Sequence, residues 1–357
     1  MNFEDTDFRQ EILDNENPFD LQIIKDFLVG LGFDYVPEEV DFTMIIYNLN
    51  DEVIGTGSLK RKTLKYVAVA PKFRESTAFS LIVTTLSSKV LEKFSRCFVY
   101  TRPETAKMFQ SLGFSLIATA EPLFSVLEFG YESIKDYQNY LLANKADTKT
   151  DKVAAIVVNC NPFTKGHKYL IEKAAKENEH LYLFVVNENL SVFPFETRWN
   201  LIKEGIKHLD NVSMLNSGQY IVSGGIFPNY FLKNESWNDV SQKQAEVDVR
   251  IFADYIVPVL NITYRYIGTE NYCLTTASYN TEMHRILPEA GVKVVEVERM
   301  ALGDALNYIS ASKVRAAIKE DKLDQILDFL PEVTREFLVS DDSAILRERI
   351  KSSNTRH

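Results

Sequence analysis

At 357 residues the chain has room for about two domains of ordinary size, and its 45% hydrophobic and 25% charged residues exclude a disordered or fibrous class. A formal charge of −10 excludes a general nucleic-acid binder, which needs a basic face, and no apolar run approaches the roughly eighteen residues a membrane helix requires. The first twenty residues carry seven acids against Arg9, unlike a secretory leader, and Cys97, Cys160 and Cys273 are scattered without a CxxC pair. Both features point to a reducing cytoplasm and away from a disulfide framework or a cysteine metal site.

In chain order, alternation from Thr43 to Gly57 around Asn48, Asn50 and Asp51 predicts two antiparallel strands and a polar turn. A strand at Lys65–Val69, an apolar helix at Ala78–Phe94, a strand at Phe98–Thr101, a helix at Glu104–Leu112 stopped by Gly113, and a strand at Phe114–Ala118 follow. This half reads as a mixed sheet with few helices. The polar stretch from Asn144 to Asp151 is the candidate linker, giving domains at 1–140 and 151–357, the second with a helical tail. Beyond the linker the apolar runs Val153–Asn159, Leu181–Val186, Val212–Leu215, Ile262–Ile267 and Val292–Val297 alternate with amphipathic stretches. That pattern predicts a doubly wound parallel sheet whose ligand sits at the strands' carboxyl ends.

Chemistry concentrates where the first of these strands ends, in Asn161-Pro162-Phe163-Thr164-Lys165-Gly166-His167, which opens directly into a helix. Unpaired N–H groups and the positive end of the helix dipole favour an anion there. Thr164 and His167 share one side of the first turn, and Gly166 permits close approach to the backbone. A hydroxyl, an imidazole and the Lys165 ammonium around one anion suit a triphosphate. Much later, Ile309-Ser310-Ala311-Ser312-Lys313-Val314-Arg315 offers a second helix start, with Ser310 as N-cap, Ser312 as a further hydroxyl, and two cations. Cys160 reads as core packing, and no histidine spacing suits a metal.

The two segments resemble the T/HxGH and ISxxxxR signatures of the nucleotidyltransferase superfamily, with Thr164 at the first histidine position. The phrases NPFTKGHKYLIEKA, FPFETRWNLI, SGGIFPNYFLK, RYIGTENYC and ASYNTEMHRILP are similar to the citrate lyase ligase family. The first half resembles a GNAT acetyltransferase domain, with VAPKFRESTAFSL at the acetyl-CoA loop and AKMFQSLGF at the later helix and strand. Where that loop has small residues after Arg74, this chain has Thr77 and Phe79, so close approach of a CoA pyrophosphate is not expected.

The resemblance implies an α/β protein with a GNAT-like mixed domain followed by a Rossmann-like nucleotidyltransferase domain. It implies a ligase that joins acetate to the prosthetic-group thiol of citrate lyase's acyl carrier subunit through acetyl-AMP, with ATP as substrate, Mg2+ riding on it, and neither nucleic acid nor membrane as partner. His167, Thr164, Lys165 and Arg315 would act at the reacting phosphates. Asn161, Pro162, Phe163, Gly166, Ile309, Ser310 and Ser312 would bind ATP, joined by Arg198 from FETRWNLI and by Gly268 and Glu270 after the fourth strand. Arg198 reads equally as a surface residue of an amphipathic helix, and Gly268 and Glu270 as a plain turn. An adenylyltransferase acting on a phosphorylated cofactor precursor, and a non-catalytic nucleotide-binding regulator, stay open as alternatives.

Overall fold

The computed structural model describes residues 8–187, 191–221, 230–232, 235–269, 274–300 and 308–352. They fall into two units, one from Met1–Asp136 with Gly224–Val247 and the other from Tyr137–Ser223 with Asp248–His357. Among the described residues no helix is long and apolar enough to cross a membrane.

The first unit is built on a sheet of β1 (Arg9–Leu13), β2 (Phe42–Tyr47), β3 (Val53–Lys60), β4 (Thr63–Val69), β5 (Arg96–Thr101), β6 (Ser115–Ala120) and β7 (Phe124–Gly130), ordered β1-β2-β3-β4-β5-β7-β6. Neighbours run antiparallel except β4 and β5, which are parallel and pair only at Thr63↔Phe98 and Leu64↔Val99. The mixed sheet is the one the alternation requires, and the helices expected after β4 and β5 are Ala78–Leu91 and Pro103–Gln110. Helix Ala78–Leu91 lays Ile82, Leu86 and Val90 on Met44, Ile54 and Leu64 of the sheet, and burying each such side chain contributes about 1.5–3 kcal/mol. Phe79 is turned into this core, its ring 5.1 Å from that of Phe109 at 73°. It therefore packs the helix down, and does not stand in the preceding loop as the sequence reading assumed. Residues from far along the chain complete the unit: the Tyr230 ring lies 4.1 Å from Tyr66, Phe231 lies 5.8 Å from Phe124, and Arg102 pairs with Glu235 at 3.2 Å.

The second unit holds β8 (Val153–Val158), β9 (His180–Val185), β10 (Val212–Asn216), β11 (Tyr264–Gly268) and β12 (Lys293–Val297) in the parallel order β10-β9-β8-β11-β12. β8 is apolar along its whole length and almost wholly buried, as a strand covered on both faces must be. The chain winds from β8 outward to β10, then returns to lay β11 on the other side of β8. The crevice at that reversal, outside the carboxyl end of β8, is where a doubly wound sheet takes its ligand. The stretch read as a linker is fastened here: Ala146 N donates to the Tyr182 hydroxyl at 2.8 Å, and Glu179 accepts from the amides of Lys149 and Thr150, each at 2.6 Å. Helix Ile134–Ala143 joins in, with the buried Tyr137 donating to the Asn216 carbonyl at 3.0 Å and Gln138 to that of Tyr255 at 3.0 Å.

Candidate active site

Where β8 ends, the chain turns through Cys160 at φ +50° and enters helix Lys165–Glu177 at Thr164. Thr164 is a true N-cap. Its hydroxyl accepts from the His167 amide at 3.4 Å, while the Thr164 amide donates to His167 Nδ1 at 3.2 Å, with Thr164 Oγ1 2.9 Å from the same nitrogen. This reciprocal box, with histidine in place of the usual Glu or Gln, locks the imidazole to the helix start. Because Nδ1 accepts from a backbone N–H, the neutral ring carries its proton on Nε2, for which no partner appears among the described residues. Desolvation, helped by the nearby Arg299 guanidinium, pushes the imidazole down to about 4. His167 is thus a neutral Nε2–H donor at physiological pH. Since its folded value lies below the ordinary one, it favours folding above about 6.5 and that contribution fades as pH falls toward 4. In an NMR titration the His167 ring signals should stay unshifted from pH 8 to 5.5; a midpoint near 6.5 would remove the half-buried neutral donor.

The second segment reaches the same place. Ser310 caps helix Ala311–Lys319 through its hydroxyl, which accepts from the Lys313 amide at 3.2 Å. Arg315 then bridges back, its Nη1 donating to the Asn161 carbonyl. Gly166 supplies the other junction, since a Cβ there would stand 3.5 Å from the Ile309 carbonyl oxygen and 3.7 Å from Ile309 Cβ. Those are ordinary van der Waals distances, so the two segments touch at Gly166 without requiring a glycine there. Two capped helix starts therefore lie side by side, an arrangement suited to a polyanion. Lys165, the first residue of its helix, is partly exposed and has no ion pair among the described residues, whereas Lys173 of the same helix pairs with Glu177 at 2.7 Å. Ser312 is exposed on the second helix. Lys313 folds back, donating to the Tyr308 carbonyl at 3.0 Å with its ammonium 3.9 Å from the Tyr308 ring centre.

Other expected contacts hold the loop instead of facing outward. Arg198 is fully buried, not the surface residue that one reading of it expects: Nε donates to the Phe193 carbonyl at 3.0 Å, and Nη1 to those of Asn159 at 2.8 Å and Val186 at 2.9 Å. Asn161 is buried and accepts from the Phe193 amide at 3.1 Å. Pro162 is buried, and Phe163 is core, lodged against Gly205, where a Cβ would come within 2.4 Å of the ring. Gly268 ends β11 with its carbonyl accepting from Asn280 at 3.1 Å, while Glu270 lies outside the described residues. Cys160 is buried, and burial pushes its thiol up, away from thiolate chemistry. Arg299 was not read from the sequence. It follows β12, donates from Nε to the Thr269 carbonyl at 2.8 Å and sits 5.6 Å from the Tyr308 ring centre. Its signal was positional, a cation just beyond the carboxyl end of a strand in a doubly wound sheet.

Residues 153–338 match the family model of the citrate lyase ligase C-terminal domain. The chain is 35% identical over 307 residues to the citrate (pro-3S)-lyase ligase of Haemophilus influenzae, covering 84% of this chain and 90% of that one. It is 32% identical over 308 residues to the Escherichia coli protein of the same name, covering 84% and 86%. Among solved structures, an acetyltransferase of the GNAT family from Staphylococcus aureus is similar over 35% of this chain and 100% of its own, at 12% identity and a TM-score of 0.29.

Proposed function

The chain belongs to the citrate lyase ligase family, and on that premise we propose that it activates citrate lyase by ATP-dependent acetylation of the thiol on the acyl carrier's prosthetic group, through acetyl-AMP, in the cytoplasm. The observation that carries this reading is the pair of capped helix starts at Thr164 and Ser310, drawn together by Gly166 against Ile309 and by Arg315 on Asn161. Among the described residues Cys97 and Cys160 are buried free thiols, which supports the compartment.

Acetate is already ionised at neutral pH, so its attack on the α-phosphorus of ATP needs no general base. What it needs is alignment and screening of charge. Backbone N–H groups at the two helix starts receive the polyphosphate, Ser310 and Ser312 lie along it, and Lys165 and Arg315 offset its charge. As the acetate oxygen bonds to phosphorus and the bond to pyrophosphate breaks, the Nε2–H of His167 donates to the phosphoryl oxygens where charge grows. In the second step the carrier thiol's sulfur bonds to the acetyl carbon, the bond to AMP breaks, and the thiol proton passes to water. A magnesium ion, held mainly by ATP's own oxygens, would offset charge on the leaving pyrophosphate. The first unit is assigned the docking of the carrier.

Exchange of pyrophosphate into ATP should depend on acetate; equal exchange without any carboxylate, or none with acetate and magnesium, would overturn the ligase mechanism. Arg315→Ala should raise KM for ATP about tenfold or more, the scale of a lost charge-assisted hydrogen bond, and leave KM for acetate within about twofold. The opposite order would place Arg315 at the acyl group.

A further inference from the structure

A groove of about 740 Å³ opens on the second unit at the amino ends of its strands, away from the helix starts at Thr164 and Ser310. Lys152 stands just before β8, Tyr264 and Lys293 begin β11 and β12, and Lys176 and Glu177 end helix Lys165–Glu177. At about 1.5 Å per residue, Lys176 lies roughly 16 Å along that helix from Lys165 at the phosphate site. The register sets Tyr264 beside Lys293 and Tyr266 beside Val295, so these four side chains share one face of the sheet. The tyrosines and Val295 form the floor, and Lys152, Lys176 and Lys293 are exposed around it.

The acids nearby are engaged elsewhere. Glu177 accepts from Lys173 at 2.7 Å and from the Tyr266 hydroxyl at 2.7 Å. Glu296 alternates to the other face of β12, where its carboxylate lies 3.2 Å from His284 Nε2 and 3.5 Å from Asn280 Nδ2. Glu179 is held by the amides of Lys149 and Thr150, and Asp151, next to Lys152 in sequence, does not line the groove. None of the three lysines has an ion pair among the described residues. Three ammoniums around one concavity repel one another and are relieved by an anion that meets them together, a local positive field on a protein of net charge −10.

We propose that this groove is a second anion site, which takes a small compound bearing two or more phosphate groups and is separate from the ATP site. Its volume is that of a small-molecule pocket, roughly 300–1,000 Å³. All its cations are lysines, which meet phosphate as point charges, whereas a planar carboxylate is best matched by the forked guanidinium that the groove lacks. Several ammoniums must be met at once, which a di- or triphosphate does and a single carboxylate does not. Tyr264 and Val295 offer an apolar surface to any carbon-bearing part of the ligand. Binding requires neither acetate nor turnover, so the inference stands apart from the ligase mechanism.

The test titrates the full chain calorimetrically with inorganic tripolyphosphate, which should bind at two places, the groove and the ATP site. Replacing both Lys176 and Lys293 by glutamine should weaken one of these events about tenfold or more, the scale of one lost charge-assisted hydrogen bond. Replacing both by arginine should retain it. Because both lysines are exposed, all these variants should keep the parent's urea midpoint. Mass spectrometry locates the site: tripolyphosphate should slow acetylation of Lys152, Lys176 and Lys293 by acetic anhydride, and leave the exposed Lys25 and Lys203 unchanged. A glutamine pair that binds as the parent does, or equal protection of all five lysines, would overturn the site. Equal affinity of the groove for the tricarboxylate tricarballylate would overturn its preference for phosphate.

Discussion

Replacing His167 by alanine lowers the rate of acetate-dependent pyrophosphate exchange about 10²- to 10³-fold, the scale of a single lost donor to charge developing in a transition state. The expectation follows from the ring's fixing. Nδ1 is held by the Thr164 amide at 3.2 Å and burial keeps the imidazole neutral, so the Nε2–H is oriented before ATP arrives and need not be ordered during the reaction. The same substitution removes half of the capping box, at about 1 kcal/mol, so the variant should stay folded with a slightly lower urea midpoint. His167→Gln, whose amide N–H can donate but lacks the ring's rigid reach, should recover part of the rate. If His167→Ala exchanges pyrophosphate within a factor of about three of the parent, the imidazole is a cap and nothing more.

The parallel sheet was legible in the sequence because buried strands between amphipathic helices leave few other folds: all five expected apolar runs are strands β8–β12, displaced by at most two residues at either end. Ser310 was legible as a cap because a hydroxyl at a helix start has few other uses. β1 was not, since four of its five residues are exposed and it is held by backbone pairing to β2, which leaves no alternation to read. Nor was the company of Tyr230 with Tyr66, because 164 positions separate them and nothing in local pattern encodes so distant a contact. Within the site, residue types announced phosphate chemistry, but Arg198 and Asn161 show the limit of that inference. The same guanidinium that suits a phosphate also suits a set of backbone carbonyls, and only the surroundings decide which it meets.

Arg198 carries the largest expected effect on stability. Three carbonyls, on the half-buried Asn159 and the buried Val186 and Phe193, accept from its guanidinium, and two of them lie just past the ends of β8 and β9 while the third lies in the loop entering helix Phe195–Gly205. Arg198→Ala leaves all three without that donor, and buried unsatisfied groups cost about 1–3 kcal/mol each, so a loss of about 3–5 kcal/mol is expected after partial relaxation. Lysine does not restore it, because one flexible ammonium cannot span carbonyls that a planar fork reaches from two nitrogens. Arg198→Lys should therefore lower the urea midpoint nearly as far as alanine does. Its effect on exchange should fall on kcat as well as on KM for ATP, since the carbonyl of Asn159 leads into the loop that delivers Thr164 and His167. A residue touching ATP directly predicts the reverse: Arg198→Lys would keep the unfolding midpoint of the parent and raise KM for ATP alone. Measuring both on the same two variants separates a strut beneath the site from a hand within it.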